Sequence, residues 1–117
     1  MSYKESLAAL KPQVKEFNAA IGETAQGFGA IAKSLHGDGA LTHKQKELVA
    51  LGIAVAIRCE PCIMFHIEAL VRLGATRQEI AETLAVCVEM GGGPGVMYGT
   101  KALAAFDEFN AKAKSAE

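Results

Sequence analysis

The chain has 117 residues, of which 50% are apolar, 21% charged and 6% aromatic, with no tryptophan and a formal net charge of −1. That length fits one domain, and basic residues scattered among acidic ones argue against nucleic acid as a partner. An alanine-rich, glycine-punctuated chain with few β-branched runs favours packed helices over sheets.

In chain order, Tyr3, Leu7, Leu10, Val14, Phe17 and Ile21 alternate steps of three and four, which draws one apolar stripe along a first helix. Pro12 either kinks that helix or starts it. A short helix is expected around 26–35, ended by Gly37. Thr42, with Gln45 three residues on, forms a capping-box pattern that opens a third helix running to about Ile57. Its second half, from Leu48 to Ile57, is apolar on every face, yet has about half the length needed to cross a bilayer. No membrane span is therefore expected. Such a helix must be surrounded, which in a short chain suggests contacts between copies.

A fourth helix should run over about 60–73, stopped by Gly74, and Thr76 with Glu79 should cap a fifth that continues toward Met90. The GGGPG stretch breaks that helix. Pro94 suits the first turn of a last helix from about Val96 to Ala111, with Leu103, Phe106 and Phe109 near one face. The segment 91–98 either lines a pocket or is a helix-ending turn packed against a neighbour. The expected architecture is all-α, a single-domain helical bundle of five to six helices spanning residues 1–117. The opening MSYKESLAALKPQ has no apolar stretch of signal-peptide length, so a cytoplasmic location is expected. Thiols there are kept reduced, and a C-x-x-C pair in that setting points to catalysis or metal binding rather than to a structural disulfide.

The chemistry concentrates in RCEPCIMFH, residues 58–66. Cys59 stands where an N-cap would, Pro61 falls in the first helical turn, and Cys62 follows at the third helical position. Unpaired backbone N–H groups and the positive end of the helix dipole favour thiolate over thiol there. Two intervening residues across a helix start also permit a disulfide. His66, four residues after Cys62, shares its face and can take or return a proton. The nearest plausible carboxylate to orient that imidazole is Glu47 on the preceding helix. In an antiparallel hairpin about Cys59, Glu47 lies roughly 18 Å and His66 roughly 10 Å from the turn, a mismatch of about 8 Å that crossing helices and long side chains must bridge, with one water if needed. Three plainer readings stand beside the redox one. Cys59, Cys62 and His66 could form a zinc clip with one more ligand, although no second hairpin or helix to supply it is evident, or His66 could be an ordinary buried histidine and Glu47 a solvated helix acid. Cys87 reads as packing, and His36 and His43 as solvated residues near turns.

Two stretches, GALTHKQKELVALGIAVAIRCEPCIMFHIEALVRLGATRQEIAETL and MGGGPGVMYGTKAL, resemble the carboxymuconolactone decarboxylase-like superfamily, and within it the alkylhydroperoxidase AhpD core domain, over about 39–106. The family motif is a glutamate followed after a fixed gap by C-x-x-C-x-x-x-H, and Glu47, Cys59, Cys62 and His66 occupy the matching positions. The resemblance implies an all-helical fold assembled as a homotrimer or homohexamer. It implies an antioxidant, thiol-dependent peroxidase without a cofactor, acting on small-molecule hydroperoxides. In it Cys62 would be the peroxidatic thiolate, Cys59 the resolving thiol, and His66 with Glu47 the proton relay, while a reducing dithiol or redox partner protein would reopen the disulfide. In well-described members a further histidine precedes the second cysteine, where this chain has Pro61. The lactone decarboxylases of the superfamily generally lack the cysteine pair. A decarboxylase, or a non-catalytic helical oligomer that uses the pair for zinc binding or redox sensing, are the alternatives.

Overall fold

In the computed structural model, residues 1–115 are described, with side chains described for 1–111. The chain forms α1 (Tyr3–Ile21), α2 (Glu23–Ser34), α3 (His43–Ala56), α4 (Glu60–Arg72), α5 (Arg77–Gly91) and α6 (Gly93–Ser115), with no strand among the described residues. Side-chain caps account for most of the starts. Ser2 with Glu5, Thr42 with Gln45, and Thr76 with Glu79 each close a reciprocal capping box, so two otherwise unpaired N–H groups are satisfied at the heads of α1, α3 and α5.

Helices α3 to α6 pack on one another, and their inward faces make the core. Leu51 and Val55 of α3, Ile63, Ile67 and Leu70 of α4, Ile80 of α5, and Phe106 of α6 are fully buried. The N-terminal pair is different in kind. Helix α1 lies against α4 and α6 and sends in one fully enclosed side chain, Leu7, whereas α2 packs on α1 and buries none. The chain keeps its helical path through Pro12, so that residue neither starts nor ends α1.

Two expectations need correction. Helix α2 begins at Glu23 rather than about 26, because Gly22 (φ 59°) serves both as the end of α1 and as the cap of α2. Helix α6 begins at Gly93 and continues to Ser115, longer at both ends than the 96–111 expected from Pro94. Gly95 makes that early start possible. A Cβ there would collide with the backbone carbonyl of Cys87, so the head of α6 can approach α5 only as glycine. As expected for a chain this short, α3 is not surrounded within one chain. Val49, Ile53 and Ile57 remain more than half exposed, and Val49 and Ile53 stand along one side of a groove of about 590 Å³ whose other wall carries Val86 and Met90 of α5.

Candidate active site

The site is built where α3 turns into α4. Helix α3 closes with two nested bonds, the Cys59 N–H to the Ala54 carbonyl and the Arg58 N–H to the Val55 carbonyl, both at 3.1 Å. This Schellman geometry requires a left-handed residue between them, and Arg58 fills it at φ 58°, where glycine is the usual occupant. The reversal sets Cys59 at the N-cap of α4. Its sulfur accepts the Cys62 N–H at 3.3 Å, and Pro61 sits in the first turn, where its missing donor costs nothing. Cys59 and Cys62 are joined as a disulfide across a Cα–Cα separation of 5.2 Å, within the range such bonds span. Both cysteines are half-buried.

One turn further along α4, His66 meets Glu47 of α3 directly. Nδ1 lies 2.6 Å from Glu47 Oε2, the length of a charge-assisted bond in which the ring N–H donates to the carboxylate. The expected mismatch along the two axes is closed by the side chains without an intervening water. With Nδ1 committed, Nε2 of His66 is the nitrogen that remains able to exchange a proton. The arrangement can therefore bridge two sulfurs and, a turn away, hold an imidazole of fixed tautomer against a carboxylate that is only 17% exposed.

His43 was expected to be a solvated turn residue and is not. It opens α3, one turn before Glu47, with its ring stacked on that of His36 at 4.7 Å between centroids. Its Nε2 lies 3.6 Å from Glu47 Oε1 and is itself buried without a hydrogen-bond partner. The four-residue spacing of His43 and Glu47 was the sequence signal that could have placed them on one face. Arg58 carries no comparable signal.

Cys87 is a packing residue, as its place on an apolar stripe suggested. It is buried on α5, its thiol points to the Gly52 carbonyl at 3.7 Å, and burial pushes its pKa above the ordinary thiol value, which keeps it protonated and inert. Among the described residues no group of three or more His, Cys, Asp or Glu side chains is arranged to hold a metal ion. No helix among them is long and apolar enough to cross a membrane. The segment 91–98 does both things considered for it. Gly95 packs on α5, while Gly93, Pro94, Val96, Met97 and Tyr98 line a shallow depression beside Arg58.

Comparison with known proteins identifies the group. The chain is 42% identical to an uncharacterised protein of Cupriavidus necator, over 87% of this chain and 96% of that one. It is 36% identical to an uncharacterised protein of the Paracoccus denitrificans cox locus, over 80% and 90% of the two. Among solved structures, the apo form of a carboxymuconolactone decarboxylase family protein from Legionella pneumophila superposes with a TM-score of 0.88 at 44% identity, covering 92% of this chain and 96% of that chain. A member of the same family from Thermotoga maritima, suggested to act in an antioxidative response, shares the fold at a TM-score of 0.84 and 24% identity, over 96% of each chain. The carboxymuconolactone decarboxylase family model matches residues 22–106, and the chain belongs to that family, within the AhpD-like superfamily.

Proposed function

We propose that the protein is a thiol-dependent peroxidase of the alkylhydroperoxidase type, and the observation that carries this reading is the Glu47–His66 pair one helical turn from the Cys59–Cys62 disulfide. In the reduced enzyme the Cys62 thiolate attacks the terminal oxygen of a hydroperoxide. The O–O bond breaks, and the alkoxide leaves as an alcohol with the proton that His66 Nε2 took from the Cys62 thiol. Cys62 is then a sulfenic acid. The Cys59 thiol gives up its proton as its sulfur attacks that of Cys62, the S–S bond forms, and the departing hydroxide takes the proton to leave as water. The peroxide has gained two electrons and the cysteine pair has lost two, which a reducing dithiol or a redox partner protein restores by thiol–disulfide exchange. A reducing compartment such as the cytoplasm supplies that donor. The antioxidative role suggested for the Thermotoga maritima family member is consistent with this chemistry.

The test is peroxide consumption with a dithiol donor, together with trapping of sulfenic acid. Wild type should turn over and Cys62→Ser should not, while Cys59→Ser should stop after one event with sulfenate at Cys62. Sulfenate at Cys59 in Cys62→Ser would reverse the two roles. Decarboxylation of a small lactone that survives replacement of both cysteines would replace the reading with the decarboxylase alternative.

The same proposal includes assembly as a homotrimer or homohexamer. Phe28 and Ile31 of α2 are 73% and 64% exposed, as unpartnered as the Val49, Ile53 and Ile57 side of α3. Apolar surface on that scale is ordinarily covered. Sedimentation should give three or six subunits, and Phe28→Glu or Ile53→Glu should shift the mass downward; a monomeric wild type would contradict the assembly.

A further inference from the structure

Two of the chain's three histidines, His66 and His43, meet one carboxylate, and the third, His36, stacks on one of them. His66 takes Glu47 Oε2 at 2.6 Å, His43 stands 3.6 Å from Oε1, and the His36 ring stacks on that of His43. The row is held by more than the rings. The His43 backbone N–H donates to Asp38 Oδ1 at 2.8 Å, and Lys46 Nζ donates to the carbonyls of Gly37 and Leu35 at 2.8 and 3.3 Å. These bonds tie the α2–α3 loop to the first turns of α3 and keep His36 over His43.

We infer that His43 is a positioning residue for the relay, tethering Glu47 Oε1 so that Oε2 stays on His66 Nδ1 and His66 is kept in the tautomer with Nε2 unprotonated. The inference rests on the peroxidase reading for its kinetic consequence but not for its structural one. Two observations carry it. The Nε2 atom of His43 is buried with no hydrogen-bond partner, a state that a polar atom does not keep when an acceptor is within reach. The acceptor is Glu47 Oε1, beyond bonding distance by a few tenths of an ångström that a small side-chain rotation closes. A carboxylate held at one oxygen alone can swing about its Cγ–Cδ bond and exchange the oxygen it offers to His66. Held at both, it cannot. His66 then presents one nitrogen to the reaction at all times, and catalysis loses steeply when a proton-transfer group is misplaced.

The experiment compares wild type with His43→Ala and His43→Gln, where Gln keeps an N–H donor at the same helical position. The first readout is the ring-nitrogen NMR of His66 in the resting, disulfide-bonded protein, which needs no turnover. Wild type should show a single tautomer protonated at Nδ1, His43→Ala a mixture of the two, and His43→Gln a return toward the wild-type spectrum. The second is steady-state peroxide consumption, in which His43→Ala should lower kcat by about tenfold with KM unchanged, and His43→Gln should recover most of the loss. Thermal unfolding of both variants confirms that the helix still forms. An unchanged His66 spectrum in folded His43→Ala overturns the inference, and so does a His43→Gln variant as defective as His43→Ala by both readouts. Should wild type consume no peroxide, the peroxidase reading fails while the spectrum still decides the role of His43.

Discussion

Helices α3 and α4 end in the same way, yet the two turns are occupied by different residues. After α4, the Gly74 N–H bonds to the Val71 carbonyl at 3.1 Å and the Ala75 N–H to the Leu70 carbonyl at 2.9 Å, with Gly74 at φ 77°. After α3, Arg58 and Cys59 make the corresponding bonds, with Arg58 at φ 58°. The chain leaving Gly74 reaches Thr76, whose hydroxyl and partner Glu79 close a capping box at the head of α5. The chain leaving Arg58 reaches Cys59, a weak sulfur acceptor with no reciprocal partner, at the head of α4. One turn thus follows the local rules for joining helices, and the other departs from them twice within two residues. Departures of this kind gather where a fold serves chemistry, because glycine and threonine would join α3 to α4 more comfortably but would hold no sulfur.

Substitutions at the two left-handed positions sharpen this contrast. The largest effect on stability is expected at the comfortable turn, where Gly74→Ala forces a Cβ into φ 77° and should cost about 1–2 kcal/mol in denaturant unfolding. A cost near zero would mean that the turn relaxes freely and that Arg58 bears no strain either. The smaller effect runs the other way. Arg58→Gly removes the left-handed penalty but adds unfolded-state freedom, so a net gain of about 0.5 kcal/mol should appear as a higher denaturant midpoint with an unchanged slope. A loss on Arg58→Gly would show that the arginine side chain contributes more to the turn than its backbone conformation costs.

The same contrast explains what was legible in the sequence. Helices α3, α4 and α5 could be read nearly to the residue because Thr42–Gln45, Pro61, Gly74 and Thr76–Glu79 each act through local geometry. The ends of α2 and α6 could not. Gly22 serves two helices at once with no side-chain cap, and the early start of α6 depends on the approach of Gly95 to the α5 backbone, a tertiary contact with no local trace. At the site, the residue types of Glu47, Cys59, Cys62 and His66 and their register were legible, whereas the direct 2.6 Å contact was not, since axial arithmetic left a gap that only side-chain reach resolves. His43 was hidden for another reason. A histidine at the first position of a helix ordinarily faces water, and only the folding of the α2–α3 loop, with His36 laid across it, encloses this one.

The central claim is that reduced Cys62, at the head of α4 and a turn from the Glu47–His66 pair, is an activated thiol. Its alkylation rate as a function of pH, measured on the dithiol-reduced protein with the product located by mass spectrometry, tests that most directly. The account predicts a midpoint at least a unit below the ordinary thiol value of about 8.5, so that Cys62 reacts as thiolate at neutral pH. Midpoints for both Cys59 and Cys62 at that ordinary value would contradict it.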